Sequence, residues 1–411
     1  MSIISKGKLA HFPWENGLLF SLLTLFVSFS FSTALVEIAT VAGLLFFSGL
    51  ILTRKKNPFS FLPHFSFAAL LVYVSIVSLS LFWTEYPKES FRGLFKVLQQ
   101  ISIFILAAQL PRTVTASPLF ENVFLILFAA TVANGLFQYA FGADLIRGYQ
   151  YVEASAGPRI TSSFKSYGLF AAFLVLVTPL AMAYALAAPR FSRLQILLVV
   201  LVLEGLICLY LTRSRGAWLG FFIGSFLTLL AFRQWRFAGV LTVAAIVGIL
   251  MLPRNVLIHL DIERKEQSIV ERFDLWQRAV DVIEVKPFTG TGINTYTKAH
   301  VKYDKSESWR VRDYYAHNGY LQMAAEIGIP GTAAFILFLF SFLITAYKRS
   351  HALLVLRERL IRGGLLAGTA GFCIFAVWDT LLHNPQSVLA FWFIAGILAS
   401  AVKKTEAEIA S

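Results

Sequence analysis

The sequence predicts an all-α integral membrane protein: about twelve transmembrane helices and one large extramembrane loop that contains helices of its own. Three observations carry that prediction. The 411 residues are 57% hydrophobic and only 14% charged. A soluble chain carries about 25% charged residues, so lipid must cover most of this surface. Apolar runs long enough to cross a bilayer, about 20 residues each, recur along the chain. One polar stretch, 254–318, interrupts them.

The runs fall at 15–31, 34–52, 66–83, 91–110, 119–141, 167–188, 194–211, 216–232 and 237–253, then, after the loop, at 319–346, 363–382 and 388–402. The chain therefore divides into 1–253 (spans one to nine), 254–318 (the loop) and 319–411 (spans ten to twelve). Lys6 and Lys8 precede the first run as in a signal peptide. That run is long for a signal and a second follows at once, so it reads as a retained span.

An even number of spans puts both termini on one side. About 17 basic residues lie there, including Arg54, Lys55, Lys56, Arg233, Arg236 and the stretch "KRSHALLVLRERLIR", against about 6 in the opposite short loops. Both termini are expected in the cytoplasm, with 347–362 a basic helix lying along the anionic leaflet. This also accounts for the net charge of +13 without nucleic acid. Cys208 and Cys373 sit inside apolar runs and read as small hydrophobes rather than a disulfide or metal site. No tandem repeat and no linker to a soluble domain is present.

Within the loop, "SIVERFDLWQRAVDVIEV" places Ile269, Phe273, Trp276, Val280 and Ile283 on one helical stripe and Arg278, Asp281 and Glu284 off it. Pro287 and "FTGTG" end that helix in a turn. A second loop on the same side, 142–166, contains "AGPRITSSFKSYG".

Arginines on this side run against the charge bias. Arg213 and Arg215, in "LYLTRSRGAWLG", either snorkel to headgroups or, as a pair within three residues, hold an anion. Arg272 either pairs with Glu271 or Asp274 or joins them, and Arg159 is a solvated loop charge or a further member. Guanidinium forks grip phosphate bidentately, so a cluster at a bilayer surface suits a lipid-borne diphosphate. His317, in "DYYAHNGYLQ" at the seam between loop and span, either caps the helix or acts as a base on a sugar hydroxyl. His383, in "LLHNPQS", is its rival on that side. Asp261 and Glu263 are two apart, as in an acidic metal motif, but sit in a charge-mixed loop start, and no metal or cofactor is expected.

Together, "TRSRGAWLG", "RFDLWQRAVDVIEVKPFTGTGINTY" and "HNGYLQMAAEIGIPG" resemble the O-antigen ligase family, with its relatives the O-antigen polymerases and bacterial O-oligosaccharyltransferases. The signature runs through Arg272, Trp276, Pro287, Gly290, Gly292, His317, Asn318, Leu321, Glu326, Gly328 and Gly331, and the likeness covers most of 150–335. "GPRITSSFKSYG" is a looser match that lacks the family's Asn, which weakens Arg159. The resemblance implies a GT-C-like, metal-independent, inverting glycosyltransferase without a cofactor, in the inner membrane of a Gram-negative cell and facing the periplasm. The donor would be a glycan on undecaprenyl diphosphate and the acceptor lipid A–core, the enzyme acting as a monomer in contact with membrane lipid. Position by position it implies His317 as the catalytic residue, Arg215 and Arg272 on the diphosphate, and Arg213, Arg159, Asn318 and Trp276 as further substrate contacts. One dominant loop favours a ligase over a polymerase. The chain's end at Ser411, soon after the last span, disfavours a protein oligosaccharyltransferase. A lipid-linked-glycan transporter is the reading from another class, but it would place ionisable groups at mid-span, where Glu37 and Glu204 are the main ones.

Overall fold

The structure, a computed structural model, describes residues 13–54, 59, 61–110, 117–153, 157–250, 262–303 and 315–400. Among these there is no strand, only two isolated bridges, Ala143 with Gln150 and Val152 with Arg159. The helices, in order, are α1 (Pro13–Phe31), α2 (Thr33–Arg54), α3 (His64–Leu79), α4 (Pro87–Ala108), α5 (Pro118–Phe141), α6 (Tyr167–Ala187) and α7 (Arg193–Leu211). Then come α8 (Arg215–Ala231), α9 (Trp235–Leu250), α10 (Ile262–Val285), α11 (Tyr296–Tyr303), α12 (Gly319–His351), α13 (Leu356–Phe375) and α14 (Pro385–Ala399). Each of the twelve apolar runs carries a helix, but in the run 363–382 the helix ends at Phe375 and residues 376–382 are not helical. Eight helices among the described residues are long and apolar enough to cross a membrane, and α8 and α14 are apolar but shorter.

Local chemistry sets the helix starts. Ser117, Ser166 and Ser192 accept from backbone N–H groups in the first turns of α5, α6 and α7, and Pro87, Pro118 and Pro385 occupy first-turn positions where no donor is needed. The expected basic helix over 347–362 is not one helix. Its first part ends α12, its last part begins α13, and 352–355 form the turn between them. Arg359 donates twice to the Leu353 carbonyl, at 3.0 and 2.6 Å, which holds the turn open.

The bundle is built around α6. Of its most apolar window 89% is buried, against 22% for α2 at the periphery. Helix α13 packs against both α6 and α8, and small residues make the approach possible. A Cβ on Gly216 would lie 2.7 Å from Trp378 Cβ, one on Gly220 2.5 Å from the Gly371 carbonyl, and one on Gly224 2.6 Å from Gly371 Cα. Close backbone contact of this kind replaces the hydrophobic drive that is missing between helices in lipid.

Helix α12 is broken at Gly328 (φ 75°, ψ 170°). Pro330 lacks an N–H and its ring excludes the carbonyl four residues back, that of Glu326. The "TGTG" turn takes up the freed groups: Gly292 N donates to Glu326 O at 2.8 Å, Thr291 N to Ala325 O at 3.0 Å, and Ile329 N to Pro287 O at 2.8 Å. A side chain at Gly290 or Gly328 would collide with the facing backbone, and both have positive φ. The loop is thus hydrogen-bonded into a break in a spanning helix.

The face that α10 buries differs from the predicted stripe. Leu275, Arg278, Ala279, Asp281 and Val282 are buried, while Phe273 is 60% exposed and Trp276, Val280 and Ile283 are partly covered. Ala279 and Val282 pack with Tyr296, Ala316 and Ala325 into a second small core against the start of α12. The stripe reading failed because it counted large apolar residues. The small Ala279 is fully buried in that core, Arg278 and Asp281 beside it are buried too, and Phe273 and Trp276 line a cleft.

Candidate functional site

The cleft lies where the start of α8 meets α10 and the segment after α13. It encloses about 200 Å³ and is lined by Arg215, Gly216, Leu219, Arg272, Phe273, Trp276 and Trp378. Arg215 is the first residue of α8, so the free N–H groups of that first turn add to its charge. Gly216 lets Trp378 close one wall. Arg272 and Trp276 are one turn apart on α10, and the Trp276 and Trp378 rings stand 5.7 Å apart. The lining holds two cations and no carboxylate. Arg215 also feels the like charges of Arg272 and Arg159. Such an arrangement favours an anion.

Arg213 and Arg159 approach this site from behind. The bond from Ile160 N to Leu211 O (3.3 Å) ties the 142–166 loop to the end of α7, and the bridge between Val152 and Arg159 folds the loop on itself. Arg213, at φ 55°, stacks its guanidinium 4.3 Å from the Tyr210 ring centre, and Arg159 stacks 4.8 Å from that of Tyr167. Neither lines the cleft, and the buried Nε of each has no hydrogen-bond partner among the described residues.

His317 stands at the cleft's rim. Its carbonyl accepts from Trp276 Nε1 at 3.4 Å, and it sits at φ 47°, an uncommon conformation for a residue with a Cβ. The next residue, Asn318, is buried and N-caps α12, its Oδ1 accepting from Tyr320 N and Leu321 N at 3.0 Å each. The Asn318 oxygen is committed to the cap, and only its Nδ2 group is left for any other contact. The cap in turn fixes where the His317 ring projects.

Sequence reasoning missed Asp379. Its Oδ1 lies 3.4 Å from His317 Nδ1 and accepts from Thr380 N at 2.8 Å. Its Oδ2 lies 2.8 Å from where a Cβ on Gly168 would stand, at the first turn of α6. With its proton on Nδ1 the imidazole donates to Asp379 and leaves Nε2 as an acceptor. A carboxylate inside the apolar run 363–382 was the available signal, because ionisable groups in such runs are rare and usually functional.

His383, the other histidine on this side, is more deeply buried than His317. It is tied through Nε2, at 3.4 Å, to Glu326, which is 1% exposed. Glu326 also accepts from Asn294 N (2.8 Å) and Tyr296 N (3.2 Å), capping α11. His300 is buried with Nδ1 against the Tyr296 carbonyl. Asp261 lies outside the described residues, and among those no group of three His, Cys, Asp or Glu could hold a metal.

Residues 197–336 match a family model described as O-antigen ligase. That segment contains Arg213, Arg215, Arg272, Trp276, His317 and Asn318, and excludes Arg159 and Asp379. A Rickettsia felis protein named "Putative polysaccharide ligase" is 26% identical over 212 residues, 47% of this chain and 51% of that one. Proteins of the same description from Rickettsia prowazekii and Rickettsia conorii are 25% identical over 295 residues and 26% over 211, covering 63% and 47% of this chain. The chain thus spans about half the length of the Rickettsia felis and Rickettsia conorii relatives and 71% of the Rickettsia prowazekii one.

Proposed function

We propose, for a chain whose residues 197–336 match the O-antigen ligase family, that it transfers O-antigen polysaccharide from undecaprenyl diphosphate to lipid A–core. On this reading the cleft faces the periplasm across the inner membrane. The observation that carries it is an open cleft lined by Arg215 and Arg272, with no carboxylate in its described lining, beside which His317 bonds Trp276 through its carbonyl and faces Asp379 through its ring.

Transfer needs a leaving group, a base and alignment. The diphosphate binds at Arg215 and Arg272, where the first-turn N–H groups of α8 also point. Trp276, Trp378 and Leu219 offer apolar and stacking surface to the first isoprene units and the first sugar. An acceptor hydroxyl hydrogen-bonds to His317 Nε2. As its oxygen attacks the anomeric carbon, its proton passes to Nε2 and the sugar–phosphate C–O bond breaks. The electron pair stays on the diphosphate, whose growing charge the arginines stabilise without need of a metal. Asp379 holds the ring in register and stabilises the imidazolium that forms. Attack from the face opposite the diphosphate inverts the anomeric centre.

The test is reconstitution of the purified protein with lipid-linked glycan and lipid A–core. Capped lipopolysaccharide should form without nucleotide and in the presence of a chelator. Loss of capping in chelator would refute the arginine mechanism. Chain extension when only lipid-linked glycan is supplied would identify a polymerase instead.

A further inference from the structure

We propose that a groove at the far end of α8 from the arginine cleft binds an anionic glycerophospholipid. The groove runs between α6, α8 and α13 and involves Pro179, Ser225, Phe232, Gln234, Arg359 and Gly363. Leu219 lines the cleft and Leu229 lines the groove; at 1.5 Å per residue they stand about 15 Å apart along α8. The two sites sit toward opposite ends of one helix.

Three observations identify the occupant. The walls are apolar and the rim residues Leu186 and Leu356 are exposed, so the groove opens sideways toward what would be hydrocarbon. Its charge gathers at one end. Arg359 is fixed there by its bonds to the Leu353 carbonyl, and Gln234 is flanked in sequence by exposed Arg233 and Arg236. An apolar body with a cationic mouth complements an acyl chain carrying an anionic head. Finally, the space exists because residue 363 is glycine. The nearest atom to a Cβ there is on Phe232, 3.9 Å away, while the neighbouring Gly364 is packed 2.7 Å from the Pro179 carbonyl.

The test uses full-length protein in detergent, titrated with dioleoyl phosphatidylglycerol or dioleoyl phosphatidylcholine. Unfolding midpoint and lipid retained in native mass spectrometry are the readouts. Phosphatidylglycerol should raise the midpoint by several degrees and phosphatidylcholine should not. Arg359→Gln should weaken the phosphatidylglycerol response about tenfold, the loss expected for one charge-assisted contact. Gly363→Leu fills the groove and should abolish it, and Leu favours the helix. Equal stabilisation by the two lipids would overturn the proposal, as would unaltered responses in the variants. Displacement of phosphatidylglycerol by an equal amount of undecaprenyl phosphate would assign the groove to an isoprenoid tail instead. Should Gly363→Leu fail to accumulate, Arg359→Gln alone decides.

Discussion

Replacing Asp379 separates the proposed mechanism from a merely structural pairing. His317 Nδ1 and Thr380 N address the same oxygen, Oδ1, at 3.4 and 2.8 Å. An asparagine can keep that oxygen in place, so Asp379→Asn removes chiefly the charge, whereas Asp379→Ala removes charge and orientation together. A hydrogen bond to a charged group is worth about 1.5–3 kcal/mol, or roughly tenfold to 150-fold in rate. The pair is long and partly exposed, which places the charge contribution at the low end. We expect Asp379→Asn to lose no more than about tenfold in transfer rate, and Asp379→Ala about 100-fold. Losing the base itself, in His317→Ala, should remove about 10²–10⁴-fold. Because Asp379 acts through His317, the double variant His317→Ala/Asp379→Ala should be no slower than His317→Ala alone. The assay is initial rate of capping at saturating donor and acceptor, with circular dichroism confirming fold. Multiplicative losses in the double variant, or a wild-type rate in Asp379→Ala, would refute the positioning role.

Other predictions follow from the same geometry. Gly168→Ala should push a methyl against Asp379 Oδ2, at 2.8 Å, and lower the transfer rate by about tenfold with little change in unfolding midpoint. A rate equal to wild type would show that Asp379 does not need its position. Arg215→Ala should weaken binding of a lipid diphosphate by about tenfold or more, while Arg213→Ala, stacked on Tyr210 outside the cleft, should act on stability; isothermal titration with undecaprenyl diphosphate distinguishes them. Gly290→Ala, at φ 62° and against Glu326 O, should destabilise by about 1–3 kcal/mol or more, read as lost folded yield in size-exclusion chromatography. The Glu85 carboxyl is held below its ordinary range, first by its hydrogen bond from Lys302 and also by Lys286. Its contribution is present at neutral pH and lost as pH falls through that lowered value, so limited proteolysis of the 286–302 segment should rise in acid. In Lys302→Ala that onset should move to higher pH, and an unmoved onset would show that the pair does not hold the segment.

Much of the fold was legible because membrane insertion imposes a simple rule. Runs of about 20 apolar residues must become helices, since lipid offers no partner for backbone polar groups. Each of the twelve runs carries a helix among its described residues, and eight of those helices are long and apolar enough to cross. The break at Gly328 was half legible: Pro330 and the glycines stand in the sequence, but their partner, the "TGTG" turn, comes from nearly 40 residues upstream. The 347–362 segment misled because basic residues at two adjacent helix ends look, in one dimension, like one basic helix.

The site divides in the same way. By itself the sequence determined which residue types stood where the membrane disfavours them: Arg213, Arg215 and Arg272 against the charge bias, and His317 at a hydrophobic seam. Which of them meet was decided only by tertiary packing. Gly216 brings Trp378 onto α8, and that contact carries Asp379, 62 residues from His317, to the imidazole. The left-handed turn at Arg213 stacks that residue on Tyr210, while Arg215, the first residue of α8, enters the cleft. Asn318 caps α12 through its oxygen, a role that its place beside His317 in the sequence did not show. The reason is physical. Burial preference is a property of each residue and is written locally. Convergence depends on how closely helices approach, and that is set by pairs of small residues far apart in the chain.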